Sequence, residues 1–352
     1  MPPPAPQPGV IPLRPLTTGE VLSGAFGTFG RYWKPLIGVM AAAQGIGILI
    51  VAATLAITFG ATYDRFSALF DPAPGEHPDG SDVAALFLSF VPAGMVLLVV
   101  MTLGAAMFSA LCPAVVQEAV LGRTVTFGTL WRRSWSRLPA VLGTLLLTAL
   151  AAGGPAILLY AICVPLIIRS ADLDGSGPPA VFLLLLLGTL LCAPFSIWLT
   201  ARFSLAPAAA VCEGLGPVAA LRRSSHLVRD GWWRVFGTWL LGHIVAMAVG
   251  YVIQLPFGFV GMFGFFPNMS GPDDPSLDPG TLVFSFLFYA ATLTLGGLIS
   301  SLFQFSFPQL VIALIYVDQR MRKENLAAAL IATAFPAPAP AAAAAAPAPE
   351  QG

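Results

Sequence analysis

The chain has 352 residues, 57% of them hydrophobic and only 10% charged, with a mean hydropathy of +0.83. Soluble domains carry about 25% charged residues, so this composition does not build a water-facing surface and excludes an ordinary soluble globular protein. The formal net charge is zero, which argues against a nucleic-acid partner.

Residues 1–15 are proline-rich and predict a disordered arm. Thr17-Thr-Gly-Glu20 then fits a capping box, in which a hydroxyl and a carboxylate satisfy free amides at a helix start. Leu22, Phe26, Phe29 and Trp33 form an apolar stripe closed by Arg31 and Lys34, which predicts a first helix lying in the membrane interface. Apolar runs follow at about 35–58, 83–110, 138–168, 180–203, 235–265 and 281–317. Each supplies the roughly 20 residues that a hydrocarbon core about 30 Å thick requires. The N-terminus lacks the basic region and short apolar core of a signal peptide, so the first span is expected to remain uncleaved. Gly153-Gly154-Pro155 and Pro165 predict a kink in the third span. The membrane domain is placed at 16–325, and the Ala/Pro-rich segment 326–352 predicts a disordered tail.

Between the spans lie two further basic joints. In one, Phe127, Leu130, Trp131 and Leu138 accompany Arg132, Arg133 and Arg137. In the other, Gly214 and Gly216 break the apolar run and Pro217 suits a first helical position. Val218, Leu221, Ser225 and Val228 then share one face, and Arg222, His226 and Arg229 another, before Trp232, Trp233 and Arg234.

Charge sets the orientation. Arg31, Lys34, Arg123, Arg132, Arg133, Arg137, Arg222, Arg223, Arg229, Arg234, Arg320, Arg322 and Lys323 fall on one side of six spans. Arg65 and Arg169 fall in the opposite, acidic loops. This positive-inside pattern places the chain in the cell membrane with both termini cytoplasmic.

Arg132-Arg133-Ser134 and Arg222-Arg223-Ser224 lie about 90 residues apart and lead into Gly143-Thr144 and Gly237-Thr238. Pro113 before Glu118 resembles Pro207 before Glu213, and more loosely Pro308 before Asp318. The expected fold is therefore an all-α integral membrane protein: six transmembrane helices in three repeats of an interfacial amphipathic helix plus a helical hairpin. Shared membrane constraints alone also produce such a pattern.

Chemistry is sparse. Ionisable residues inside membranes mark transport paths or proton relays, and the spans hold almost none. His243 reads either as a proton site or as a hydrogen-bonded packing histidine, and Gln44, Gln254 and Gln304 as residues of interhelical hydrogen bonds. Gly242, Ala246 and Gly250 form a small-residue run suited to helix packing. Cys112, Cys163, Cys192 and Cys212 have neither zinc nor disulfide spacing. The acidic loop residues Asp71, Glu76, Asp79 and Asp82 match no calcium loop. No phosphate loop, zinc-protease motif or nucleophile elbow is present. No catalytic, cofactor or metal site is expected.

Three segments carry a family likeness: Arg14-Pro-Leu-Thr-Thr-Gly-Glu-Val-Leu22, Glu213-Gly-Leu-Gly-Pro-Val-Ala-Ala-Leu-Arg-Arg-Ser224 and Tyr316-Val-Asp-Gln-Arg-Met-Arg-Lys-Glu324. With them the chain resembles the bacterial membrane domain attached to some glycerophosphoryl diester phosphodiesterases, and that domain's stand-alone relatives of unknown function. In that family catalysis belongs to a separate soluble domain, and no stretch here is long and polar enough to form one. The resemblance implies a membrane module and brings no functional residues with it.

The expected function is that of a non-catalytic scaffold or lipid-handling module at the cytoplasmic leaflet. Its partners would be the bilayer, anionic lipids among them, and a membrane or cytoplasmic protein. The alternative is a small-solute permease. Arg31, Lys34, Arg132, Arg133, Arg137, Arg222, Arg223, Arg229 and Arg234 are the expected anionic-lipid contacts.

Overall fold

The first helix starts as a capping box requires. The Thr17 amide donates to the Glu20 carboxylate at 2.7 Å, and the Glu20 amide donates to the Thr17 hydroxyl at 3.3 Å. From there the structure, a computed structural model, describes residues 10–12, 14–70, 80–122, 126–174, 179–265 and 279–324. These contain α1 (Thr18–Phe70), α2 (Gly80–Val120), α3 (Phe127–Asp174), α4 (Pro179–Phe203), α5 (Ala206–Cys212), α6 (Pro217–Val228), α7 (Trp232–Phe265) and α8 (Pro279–Glu324). No strand occurs among the described residues. Six of the helices are long and apolar enough to cross a membrane.

The boundaries differ from the sequence reading in an informative way. The first two interfacial helices do not stop before their spans. α1 runs through both, with a kink at Tyr32 (φ −111°, ψ 19°), and α3 continues as one helix through Pro139, Pro155 and Pro165. Pro35 has no amide hydrogen for the carbonyl of Arg31, and its ring crowds that carbonyl, so the chain bends at Tyr32 without ending. Only α6 is separate. It begins with Pro217 at its first turn, after Gly214 takes the left-handed conformation (φ +70°) that closes α5.

Residues 10–12 and 14–17 also depart from expectation, because this part of the arm is packed down. Ile11 and Leu16 are fully buried, and the Val10 amide donates to the Ala119 carbonyl at 3.3 Å. Apolar side chains at these two positions anchor a segment whose prolines alone suggested a free coil. The tail at 326–352 and the loops at 71–79 and 266–278 lie outside the described residues, as does Arg123.

Three antiparallel pairs form the frame: α1 with α2, α3 with α4, and α7 with α8. Their charged ends meet in one core. It is built from the end of α2 (Ala110, Leu111, Val115), nearly all of α5, and α8 from Phe307 to Tyr316, with the starts of α1 and α3 packed around it. Away from this end the pairs stay uncovered. None of the most apolar window of α4 is buried, and Leu49, Ile57, Leu88, Leu150, Leu191 and Phe263 are widely exposed. Continuous apolar surface on this scale is what a lipid-facing helix presents.

Candidate functional site at the charged end

Three polar clusters sit on the core. Asp318, on α8, is buried at 2% exposure. Its carboxylate accepts from the Leu16 amide at 2.7 Å, from Arg322 Nε at 3.0 Å and from Arg234 at 3.2 Å. The Leu16 carbonyl in turn accepts from Arg322 at 2.7 Å and from Arg234. A buried carboxylate is tolerated only when charged donors of this kind surround it.

The second cluster alternates in sign. Glu213, just after α5, receives Arg223 of α6 in a two-pronged contact at 3.0 and 2.9 Å. Arg223 also pairs with Glu324. Arg320 joins Glu324 at 2.9 Å and Glu213 at 3.6 Å, which closes a square of two carboxylates and two guanidinium groups. The buried Tyr316 donates its hydroxyl to Glu213 from beneath.

The third cluster joins α2 and α3. Arg133 donates to Glu118 at 3.2 Å and to Gln117, whose amide reaches the Cys212 carbonyl. The Arg137 guanidinium lies so close to Gly214 that a Cβ there would sit 3.1 Å from it. Nearby, Lys323 bonds Asp230 at 2.8 Å and holds its carboxyl below the usual range.

The residues expected to contact anionic lipid are therefore divided. Arg133, Arg223 and Arg234 are turned into the ion pairs, and Arg137 is half-buried against Gly214. Arg31, Lys34, Arg132, Arg222 and Arg229 face outward. Lys34 lies over the exposed Trp33 ring, and Trp135 and Trp233 are exposed at the other two joints. The sequence marks Glu213 and Asp318 only as acids that recur after a proline, and it assigns no role to Arg202. The available signal was an acid set among arginines beside an apolar run.

The packing residues lie in the α7–α8 contact. A Cβ on Gly242 would meet Val311 at 3.0 Å, one on Gly250 would collide with Gln304, and Ala246 is buried. Gln44 donates to Ser301 at 2.9 Å, and Gln254 accepts from Ser300 at 3.1 Å, so both glutamines tie their helices to α8. The His243 ring makes its bond to the Trp239 carbonyl at 2.9 Å and lies tilted against that indole, with ring centroids 4.4 Å apart.

No group of three or more metal-ligating side chains occurs among the described residues. The cysteines are free thiols. What the geometry defines is an all-helical chain with six membrane-length helices, fastened at one end by ion pairs. No family model, curated protein or solved structure matches this chain.

Proposed function

We propose that this is a non-catalytic membrane protein whose basic end lies on the cytoplasmic leaflet and gathers anionic lipid around it. One observation carries the reading. The carboxylates at this end are matched by one set of cations, while a second set (Arg31, Lys34, Arg132, Arg222 and Arg229) points outward beside exposed tryptophans. Indole rings favour the headgroup layer. Each basic residue near an anionic surface contributes about 1 kcal/mol.

The threefold repeat is part of the same proposal. Arg133 holds Glu118 as Arg223 holds Glu213, and the Arg-Arg-Ser serines, Ser134 and Ser224, are both buried. Gly38 of α1 faces Phe127 at the start of α3, and Gly143 of α3 faces Pro217 at the start of α6. These recurrences support three related units. The three segments that carry the likeness to the phosphodiesterase-associated membrane domain lie in the Asp318 and Glu213 clusters. A scaffold's protein partner would join on the same side.

Replacement of Arg132, Arg222 and Arg229 by Gln tests the collar, since it spares the internal pairs. Acidic lipid around the protein in native lipid discs should fall relative to the parent. Unchanged enrichment in a correctly inserted variant would reduce these cations to a topology signal.

A further inference from the structure

α4 and α7 belong to different hairpins and touch far less than hairpin partners do. Their charged ends are joined where Trp232 Nε1 donates to the Trp198 carbonyl at 3.5 Å. From this point an aromatic ladder runs inward along α7. Trp232 stacks on Phe236 (4.9 Å between centroids), Phe236 on Trp239 (6.1 Å), and Trp239 meets His243 (4.4 Å). These residues recur at i, i+4, i+7 and i+11, one stripe of the helix. The Gly242–Ala246–Gly250 stripe that packs on α8 is a different one. On α4, Phe195 and Trp198 are partly exposed, with ring centroids 6.3 Å apart.

Arg202 stands at the head of this crevice. Its guanidinium lies 5.0 Å above the Trp198 ring. It has no carboxylate in ion-pairing range among the described residues, unlike the arginines of the three clusters. Its backbone carbonyl accepts from Ser224 Oγ at 2.8 Å, so α6 fixes the end of α4 while leaving the side chain uncommitted. A cation without a carboxylate partner, lying over an indole beside a half-exposed apolar and aromatic wall, has the polarity profile of a lipid site: a charged head over a long apolar body.

We infer that the crevice between α4 and α7 retains one anionic phospholipid, with its phosphate on Arg202 and an acyl chain along Phe236 and Trp239. The site rests on the membrane reading proposed above, but it does not use the outward collar cations.

The full-length protein, washed of loose lipid in detergent, is titrated with phosphatidylglycerol and separately with phosphatidylcholine, and bound lipid is counted by native mass spectrometry. The parent should hold one phosphatidylglycerol in preference to phosphatidylcholine. Arg202→Gln should weaken that binding about fivefold, the equivalent of roughly 1 kcal/mol for one cation. Arg202→Lys should keep most of it, and Trp239→Leu should weaken both lipids. Equal binding of the two lipids by the parent, or unchanged binding by a monodisperse Arg202→Gln protein, overturns the site. The Arg132, Arg222 and Arg229 variant separates the two proposals, because it should lose surrounding acidic lipid in discs yet keep the single retained molecule.

Discussion

The carboxylate of Asp318, near the end of α8, accepts a hydrogen bond from the backbone amide of Leu16 at 2.7 Å. Arg234 and Arg322 grip both the carboxylate and the Leu16 carbonyl. The arm before α1 is thus fastened to the last helix and to the start of α7 by one buried knot. The Ile11 and Leu16 side chains fill the core beside it. A carboxylate that loses these donors, or donors that lose it, would leave charge stranded in a largely dry place.

Asp318→Asn should therefore loosen the arm without unmaking the spans. An amide still fits the site but leaves two guanidinium groups without their counter-charge. Breaking a fully buried pair costs about 3–5 kcal/mol. The two arginines here are about one-third exposed, so a loss of about 2 kcal/mol is the expected scale. Hydrogen exchange read by mass spectrometry should show the Leu16 amide exchanging faster, with little change in the middle of α7. Unaltered protection at Leu16 would mean that the apolar anchors alone hold the arm.

The Glu213 square should behave as one unit. Glu213→Gln and Arg223→Gln each strand the other partner, and the double change removes both charges together. Their effects on thermal unfolding in detergent should be non-additive, with a coupling of about 1–2 kcal/mol. Tyr316→Phe removes one donor and should cost about 1 kcal/mol. Strict additivity would show that solvent screening has already cancelled the pair.

Local features of this fold were legible in the sequence, and long-range ones were not. Span length, the Thr17–Glu20 box and Pro217 at a helix start all depend on neighbours within a few residues. The apolar stripes read for the interfacial helices coincide only in part with the faces that pack on the core: Leu130, Leu138 and Val228 are buried there. Phe26 and Val218 are exposed, whereas Val21, Ala25 and Thr28, and likewise Ala220, Ser224 and Leu227, are buried. Hydropathy favours the large apolar residue, which lipid accepts, while close approach to another helix favours small ones. The partners of Glu213 and Asp318 come from the arm before α1 and from α6, α7 and α8. No local period encodes such pairings. Only the presence of acids among arginines hinted at them.

Topology gives a prediction independent of any contact. In a cysteine-free background, a cysteine at Ser81 should react with an impermeant reagent applied outside intact cells, and one at Ser136 should not. Ser136 lies on the basic part of α3, exposed beside Arg137, so the residue is accessible and only the membrane would shield it. Labelling at Ser136 would reverse the orientation derived from the charges.

Two glycines should respond to the same substitution with opposite signs. Gly143 lies in α3 against Pro217, and a Cβ there would stand 2.5 Å from the proline ring. The ring is rigid and sits at the start of α6, so it has no rotamer to yield. Gly143→Ala must push α6 outward or bend α3, and overpacking of this kind costs about 1–3 kcal/mol. Gly237 of α7 has nothing within 4 Å of its would-be Cβ. There alanine should stabilise by up to about 1 kcal/mol, because it removes backbone freedom from the unfolded chain and suits a helix interior. Thermal unfolding of the two variants in one detergent is the measurement. If Gly143→Ala is as stable as the parent, α6 is not seated on α3 as described. If Gly237→Ala alone is destabilised, that face of α7 is covered in the native protein, and the partner covering it becomes the next object to find.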